Sequence, residues 1–342
     1  QGRLDEFVTK EDQEILLQAL RDWGALDRDY KYNANLGSAE FRGYARDPGG
    51  GLMGDPLPSD PIPLQELLRS RMWRYLQSFA RYDFQMTLFQ PVGGMDMIGK
   101  AFAREVGDLI RYNSKVTQIQ QNGSGVTVSY VDTASPSAVQ QATADWCICT
   151  IPLPILSQLP LDVSGPMKNA IDSLPYAASV KVGLQFKRRF WEEDEAIYGG
   201  ISYTDLPIRN IGYPNYGFNR GGRGVLLGAY LYEGANSFEF TAMTPAERVA
   251  SAVEFGAKIH PQYKSEFENG VAVAWHRVPF TLGCAGEWTE AGRAQHYRNL
   301  CQIDGRIALA GEHASQLPAW QEGAILSALD AITRLHERVV KT

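Results

Sequence analysis

One stretch near the end of the chain, "LAGEHASQLPAWQEGAILSALDAI" (residues 309–332), combines residue types that could hold a ligand. An apolar strand stops there at a polar turn, and α/β proteins bind ligands at the carboxyl edges of their strands. Because the Glu312 carboxylate would repel phosphates, it is better suited to accept hydrogen bonds from the hydroxyls of a ribityl or ribose group. Gly323 and Ala324 would leave backbone N–H groups bare at a helix start, which suits an electron-rich ring edge or a phosphate. Trp320 offers a flat apolar wall.

The same residues have a purely structural interpretation. Trp320 could pack in the core, and Glu312 could cap the turn. Residue types alone leave both interpretations open.

A second candidate is Lys181, which lies in the alternating segment "ASVKVGLQF". The alternation predicts a strand in which Lys181 shares one face with Ser179 and Gly183. An ordinary exposed lysine would fit the same pattern.

The segment Gly49–Gly54 satisfies G-x-G-x-x-G, the spacing of a dinucleotide loop. That spacing is meaningful only after a strand and at a helix start. Two prolines follow it closely and forbid an immediate helix. We therefore expect a flexible loop and no dinucleotide there.

The four cysteines do not form a recognisable framework. Cys147 and Cys149 alternate in "DWCICTI" and would share one strand face as small core residues. The five histidines are scattered, so no metal site is expected. A disulfide framework is equally unsupported.

The composition limits the classes of partner. The 342 residues are 44% hydrophobic with a net charge of −6, which is typical of globular proteins and leaves no basic stripe for nucleic acid. No apolar run approaches the roughly 20 residues of a membrane helix. The N-terminus is polar, so no signal peptide is expected in this sequence, and the compartment stays open between cytoplasmic and secreted.

The order of predicted elements indicates an α+β or α/β protein. Helical spacing occurs at residues 11–26 and 64–79, with a Gly- and Pro-rich loop between them. A hairpin turn is predicted at residues 122–125, and several β-rich runs follow. Thr244, Pro245 and Glu247 predict a capped helix start.

Five segments, in order, resemble the FAD-dependent amine oxidases, and within them the L-amino-acid oxidases. They are "FQPVGGMDMIGKAFAREV", "IRYNSKVTQIQQNGSGVTVSY", "DWCICTIPLPIL", "LPYAASVKVGLQFKRRFW" and "AGEHAS…PAWQEGAILSALDA". The resemblance implies an α/β fold with an α+β substrate domain, built as two interleaved domains of the FAD/NAD(P)-binding amine-oxidase type.

The resemblance also implies domain boundaries. The expected units are a helical segment with a Gly/Pro loop (1–88), a second part of the FAD-binding domain (89–155), a β-rich substrate-binding domain (156–280), and the closing strand and helix of the FAD-binding domain (281–342).

The resemblance assigns cofactor contacts by position. Lys181 corresponds to the family's flavin lysine, which holds a water at flavin N5 and is the expected catalytic residue. Val116 would pack on the adenine through backbone contacts, and Trp275 would lie near the flavin.

Further cofactor contacts fall in the closing segment. Gly311 and Glu312 would contact the ribityl and phosphate groups, with Gly323 at the helix start. Ala324 and Ile325 would lie at the pyrimidine edge of the ring.

Three residues correspond to substrate contacts. Ala319 would present its carbonyl to the substrate amine, Trp320 would face the substrate, and Tyr230 would contact the carboxylate. Cys284 falls where monoamine oxidases carry their flavin-linked cysteine, but Ala285 replaces the tyrosine that follows it there, so we expect FAD to be bound non-covalently.

The sequence departs from the family at its beginning. The family starts with a strand, a Rossmann dinucleotide loop and an arginine that grips the substrate carboxylate, and this chain has none of them. We therefore expect it to be the larger, C-terminal part of an oxidase, completed by an N-terminal chain or fragment and assembling into a homo-oligomer.

The expected reaction is oxidative deamination of L-amino acids, with hydrophobic or aromatic side chains favoured and O2 as acceptor. An amine or polyamine oxidase and an amino-acid 2-monooxygenase are alternatives on the same scaffold. A non-catalytic subunit that keeps the fold is the alternative of another class.

Overall fold

The structure is a computed structural model. It describes residues 9–22, 26–31, 43–60, 63, 65–66, 69, 91–204, 206–232 and 234–341.

Helices and strands alternate irregularly along the chain. The helices are α1 (Lys10–Asp22), α2 (Asp96–Val106), α3 (Leu153–Leu156), α4 (Gly165–Ser173), α5 (Phe190–Glu193), α6 (Gly234–Ala242), α7 (Pro245–Gly256), α8 (Tyr263–Glu266), α9 (Glu290–Leu300) and α10 (Gln321–Val340). The strands are β1 (Tyr44–Arg46), β2 (Leu57–Pro58), β3 (Ser114–Gln121), β4 (Val126–Asp132), β5 (Val139–Ala144), β6 (Cys147–Cys149), β7 (Ser179–Phe186), β8 (Ile201–Tyr203), β9 (Asn210–Gly212), β10 (Gly224–Tyr232), β11 (Phe267–Ala274), β12 (Ile303–Asp304) and β13 (Ile307–Leu309).

The largest sheet has the strand order β11-β7-β10-β9-β8. Its central strand β7 alternates as the sequence predicts, with Val180, Val182, Leu184 and Phe186 fully buried on one face. Helices α6 and α7 cover that face. The opposite face of β7 carries Lys181 and is only partly covered.

The covering helix α7 begins as predicted. The Thr244 hydroxyl accepts a hydrogen bond from the Glu247 backbone N–H, and the Glu247 carboxylate accepts one from the Thr244 N–H. Pro245 occupies the first turn. This capping box satisfies two donors that a helix start leaves open, so it fixes where α7 starts.

A β-bulge sets the register between β10 and β7. The pairing shifts between Leu227 and Ala229, after which Tyr230 lies directly opposite Lys181. A side chain at the intervening Gly228 would overlap Leu184. The bulge therefore requires glycine, and it decides which β10 side chains share the face of Lys181.

A second sheet joins distant parts of the chain. Strand β6 pairs in parallel with β13, and β13 pairs antiparallel with β12. Because residues 147–149 and 303–309 share this sheet, the chain leaves the unit and returns to it, as the predicted interleaving requires. The domain boundaries themselves stay predictions.

Cys149 belongs to the buried cluster beneath this sheet, and Cys147 packs against it, as expected of small core residues. The four cysteines are free thiols. Among the described residues, no three His, Cys, Asp or Glu side chains are grouped so that they could hold a metal ion.

The third sheet contains the predicted hairpin. Strands β3 and β4 are joined by a turn in which the Asn122 side chain accepts hydrogen bonds from the backbone N–H groups of Ser124 and Gly125. Strand β5 extends this sheet.

The N-terminal predictions are met only in part. Helix α1 is present over Lys10–Asp22, and residues 23–25 of the predicted helix lie outside the described residues. Of the helix predicted over 64–79, residues 65, 66 and 69 are helical, and the others lie outside the described residues. The Gly/Pro-rich segment was expected to be wholly loop. It contains the short strands β1 and β2, which pair with each other in antiparallel orientation.

The Gly49–Gly54 segment is a loop, as expected. The expectation that it is flexible was wrong for Gly49–Gly51, which pack against the closing segment. A side chain at Gly50 would overlap the backbone of Ser327 in α10, and one at Gly51 would overlap the side chain of Asp330. The Gly51 N–H donates to the Ala314 carbonyl, and the Gln316 N–H donates to the Gly49 carbonyl. The glycines therefore allow close backbone packing against the closing segment.

Within the part of the chain that the structure describes, no helix combines the length and the apolarity that crossing a membrane requires.

The core under β7 yields a stability prediction. Phe186 is fully buried and contacts four aromatic rings, so Phe186→Ala should lower the free energy of unfolding by about 3–5 kcal/mol. Urea denaturation followed by circular dichroism measures this. The matched control is Phe238→Ala, at a side chain that is 61% exposed, where we expect a change within about 0.5 kcal/mol. Equal effects of the two substitutions would contradict the assigned core.

Candidate functional site

Lys181 lies under an aromatic ring on the open face of the central sheet. Its Nζ is 4.4 Å from the ring centroid of Tyr230, which is its cross-strand partner. A cation at this distance is attracted to the ring by about 0.5–2 kcal/mol. The contact restrains a side chain that would otherwise be a freely moving surface lysine.

Tyr232 adds a second hydroxyl beside Tyr230. The two residues are on the same strand face, their ring centroids are 4.6 Å apart, and their hydroxyls hydrogen-bond to each other. Burial raises the pKa of both phenols, and the contact with Tyr232 raises that of Tyr230 further. Both hydroxyls therefore stay protonated at neutral pH, and the pair keeps one O–H free to donate outward.

Cys284 lies close enough to this pair to interact electrostatically with both tyrosines. Its backbone N–H donates to the Ala177 carbonyl, 2.9 Å away. Residues 174–177, which lead into β7, therefore run beside residues 283–287.

Glu312 contacts the same segment, residues 283–287, through Gly286. Its carboxylate accepts hydrogen bonds from the backbone N–H of Gly286 (3.1 Å) and of Ala319 (3.0 Å). Glu312 thus caps its turn, as the structural interpretation of the sequence proposed. A carboxylate has about four acceptor positions, so these two N–H groups leave capacity for a ligand hydroxyl.

Ala319 adopts a backbone conformation that is unusual for a residue with a side chain. Its φ is +69°, in the left-handed region that costs a non-glycine residue roughly 1–2 kcal/mol. The hydrogen bond from its N–H to Glu312 holds this conformation. No residue in the described ranges donates a hydrogen bond to the Ala319 carbonyl, so that oxygen can accept one from a ligand.

Trp320 lies outside the core. It is 70% exposed, directly before α10. The core interpretation of Trp320 was therefore wrong, and its indole is available as a wall beside the Ala319 carbonyl. Ile325, one turn into α10, is 42% exposed.

The start of α10 differs from the expectation at one position. Gly323 donates no hydrogen bond within the described chain, whereas the Ala324 N–H donates to the Trp320 carbonyl at 3.2 Å. The Ala324 N–H is the first in α10 that can donate to the carbonyl of the residue four positions earlier. It is therefore already hydrogen-bonded and is not free for a ligand. A side chain at Gly323 would overlap the Leu317 carbonyl, so close loop packing also requires glycine there.

Gly311 has the conformation of a residue that must be glycine. Its φ is +141°, and an added Cβ would lie 2.7 Å from the His313 ring. Its N–H donates to the Ser327 hydroxyl of α10. The end of β13 is thereby fixed against the helix that carries Gly323.

Tyr176 and His313 form a buried polar contact next to Glu312. The Tyr176 hydroxyl and His313 Nδ1 are 3.2 Å apart. Burial lowers the pKa of His313 to about 4, and burial together with the Glu312 charge raises the pKa of Tyr176. His313 is therefore neutral at physiological pH, and it supports the turn instead of carrying charge.

The remaining predicted residues lie in other elements. Trp275 begins a 3₁₀ turn (Trp275–Arg277) after β11 and is 37% exposed. Val116 lies in β3, in the separate three-stranded sheet, where it packs against the cluster beneath β6.

Sequence reasoning missed three residues that contribute to this arrangement: Tyr176, Tyr232 and Gly286. The two-residue period of "AYLY" could have placed Tyr232 beside Tyr230 on one strand face. No local pattern signals Tyr176 or Gly286, because they reach Glu312 through long-range pairing.

Taken together, the geometry offers an open sheet face with one cation and a pair of phenols that has one further O–H to donate. It also offers a neighbouring turn with a carboxylate, an unpaired carbonyl and an exposed indole. Groups of this kind can orient a ligand that carries both an amine and a carboxylate, next to a flat apolar group.

The chain was compared with families and with known proteins. The model of the family described as "Flavin containing amine oxidoreductase" matches residues 33–335. An L-amino-acid oxidase of Siganus canaliculatus is 31% identical over 82% of this chain and 54% of its own length. An L-amino-acid oxidase of Vipera ammodytes ammodytes is 29% identical over 73% of this chain and 52% of its own length.

Solved structures show the same fold. Cyclohexylamine oxidase from Brevibacterium oxydans superposes with a TM-score of 0.60 at 17% identity, over 72% of this chain and 53% of that one. Putrescine oxidase bound to putrescine superposes with a TM-score of 0.59 at 16% identity, over 71% of this chain and 53% of that one.

The chain spans about half the length of the curated relatives it matches, 54% and 52% of the two oxidases above. The family match nevertheless covers most of the present residues, including the segments around Lys181 and Glu312. The chain belongs to the flavin containing amine oxidoreductase family.

Proposed function

We propose that this chain is the larger part of a flavin-dependent L-amino-acid oxidase. It would convert L-amino acids with hydrophobic or aromatic side chains to 2-oxo acids, with release of ammonia and H2O2. The observation that carries the proposal is the Lys181–Tyr230–Tyr232 group on the open sheet face, which supplies hydrogen-bond donors suited to a carboxylate. The curated relatives named L-amino-acid oxidase support it.

The residues around Glu312 are compatible with FAD. The Glu312 carboxylate keeps acceptor capacity for ribityl hydroxyls, and Gly311 and Gly323 keep the nearby backbone free of side chains. The start of α10 at Gly323, followed by Ala324 and Ile325, would hold the ring edge, and Trp275 and Val116 would make the more distant contacts. When bound, FAD supplies the two-electron acceptance that the amino-acid side chains lack.

The protein's own groups would orient the substrate. The free hydroxyl of the tyrosine pair would donate to the carboxylate, and the Ala319 carbonyl would accept a hydrogen bond from the amine. The exposed Trp320 indole would cover an apolar side chain. Lys181 would hold a water beside the flavin. Fixing both ends of the substrate presents its α-carbon in one orientation, which lowers the entropic part of the barrier.

We also propose that another segment completes the unit, as an N-terminal chain or fragment. Leu329 and Ile332, about one turn apart on α10, are exposed apolar side chains. Strand β6 pairs with β13, and no other strand in the described residues pairs with its second edge. Exposed apolar patches and open edges usually mark surfaces that another element covers.

Two alternatives of the enzyme class stay open. An amine or polyamine oxidase is favoured by the structural neighbours that act on cyclohexylamine and putrescine by name. An amino-acid 2-monooxygenase would use the same carboxylate contacts. A non-catalytic subunit is disfavoured because the chain retains Lys181, Glu312 and Trp320.

The first prediction concerns the cofactor. The protein purified with whatever accompanies it should show flavin absorption bands, and acid precipitation should release them into the supernatant. Release into the supernatant indicates that FAD is bound non-covalently. Flavin that stays with the precipitate would contradict non-covalent binding, and a colourless preparation that contains the completing segment would overturn the oxidase proposal.

The second prediction concerns Lys181. Lys181→Met should lower turnover of L-phenylalanine, followed as H2O2 production, by about 10²-fold, because one positioned group at the reacting atoms is lost. The control is Lys187→Met at the end of the same strand, where the ammonium is exposed and donates to the Ser265 carbonyl. Unchanged turnover in the Lys181 variant would remove its role.

The third prediction separates amino-acid from amine substrates. Tyr230→Phe should lower kcat/KM for L-phenylalanine by about tenfold or more, because a hydrogen bond to a charged carboxylate is lost. Its kcat/KM for 2-phenylethylamine, which lacks the carboxylate, should change little. If both substrates are affected equally, Tyr230 does not read the carboxylate, and the amine-oxidase alternative gains support.

A further inference from the structure

A surface cavity of about 490 Å³ lies where β11 ends against the junction of α6 and α7. Its walls are mostly apolar, with two arginines and one hydroxyl among them. The lining residues are Ala242, Met243, Thr244, Pro245, Arg248, Ala272, Val273, Ala274, Arg277, Val278 and Pro279.

The cavity is distinct from the candidate site. Ala272 and Ala274 pair with Val182 and Val180, and directly paired residues share a sheet face. That is the face covered by α6 and α7, opposite to the face of Lys181. Val273, which also lines the cavity, pairs with Lys181, but Lys181, Tyr230 and Tyr232 are not among the lining residues.

Arg248 brings a buried charge to this cavity. It is only 5% exposed. Its Nε donates to the Phe240 carbonyl at 2.6 Å and its Nη2 to the Thr241 carbonyl at 3.0 Å, at the end of α6. Its Nη1 donates to no group in the described chain, so it keeps hydrogen-bonding capacity for a ligand.

Arg277 places a second guanidinium at the same carbonyl. Its Nη1 lies 3.2 Å from the Thr241 oxygen, and the residue is exposed. Burial lowers the pKa of Arg248, and the charge of Arg277 lowers it further. The two like charges therefore destabilise each other where they meet.

No carboxylate neutralises the two guanidiniums within the described ranges. Neither arginine takes part in an ion pair with the residues described there. The nearest acid along the chain, Glu247, uses its carboxylate to accept the Thr244 N–H in the capping box of α7. Buried arginines are normally paired with an anion, whereas the described part of the chain offers the Arg248 guanidinium only carbonyl oxygens.

We propose that the cavity binds a small organic anion, with its carboxylate or phosphate head on Arg248 and Arg277 and its apolar body against the alanine, valine and proline walls. Guanidinium groups are suited to such heads because they offer two donors in a fixed plane. The cavity is a groove open to solvent whose volume falls within the range of small-molecule sites, and its walls combine apolar residues with a few polar groups. The proposal does not depend on the oxidase proposal, because the two sites share no residue.

The test uses hexanoate as the probe in isothermal titration calorimetry of the intact protein, with neutral hexanamide as the matched control. Hexanoate should bind saturably and hexanamide should not. Arg277→Gln should weaken hexanoate binding by about tenfold, the loss expected for one charge-assisted hydrogen bond. Arg277 is exposed, so this variant should fold, which circular dichroism checks. Arg298→Gln, at an exposed arginine in the last turn of α9, should bind hexanoate as the parent does.

The candidate site also offers donors to carboxylates, so Tyr230→Phe is titrated in parallel. Hexanoate binding that persists in Tyr230→Phe and falls in Arg277→Gln supports the cavity as an anion site. Hexanoate binding that is absent, that is unchanged in Arg277→Gln, or that is lost in Tyr230→Phe alone would overturn the proposal.

Discussion

The pairing of β7 with β10 decides the position of every polar group on the open face of the central sheet. Because side chains alternate between faces, the register after the bulge puts Tyr230 over Lys181 and Tyr232 beside it. The other face is occupied by the aliphatic and aromatic core under α6 and α7. A polar site and a hydrophobic core thus share one set of strands, separated only by the pleat.

The second constraint is the loop that joins this face to the closing segment. Residues 174–177 and 283–287 run side by side, so β7 and the Glu312 turn are tied to the same backbone. Glu312 in turn holds Ala319 in its strained conformation, and Gly311 fastens the turn to α10. The carbonyl of Ala319 is therefore positioned through the Glu312 carboxylate, which backbone N–H groups hold at both Gly286 and Ala319.

Much of this could be predicted from sequence because the signals are local. The alternation of β7, the Asn122 hairpin and the capping box of α7 depend on neighbouring residues, and each was confirmed. The bulge at Gly228, the clamp of Gly286 on Glu312 and the pairing of β1 with β2 depend on residues far apart in the chain, and no short pattern reveals them. Trp320 shows the same limit, since an exposed indole and a core indole look alike in a sequence.

The bulge at Gly228 also limits which insertions and deletions the strand β10 can accept. Most strand positions tolerate exchange of one side chain for another of similar size. A deletion of one residue near Gly228, however, would move Tyr230 and Tyr232 to the core side and turn Leu231 outward, because strand faces alternate with a period of two. We therefore expect length variation among relatives to be excluded from this strand and confined to the loops on either side of it.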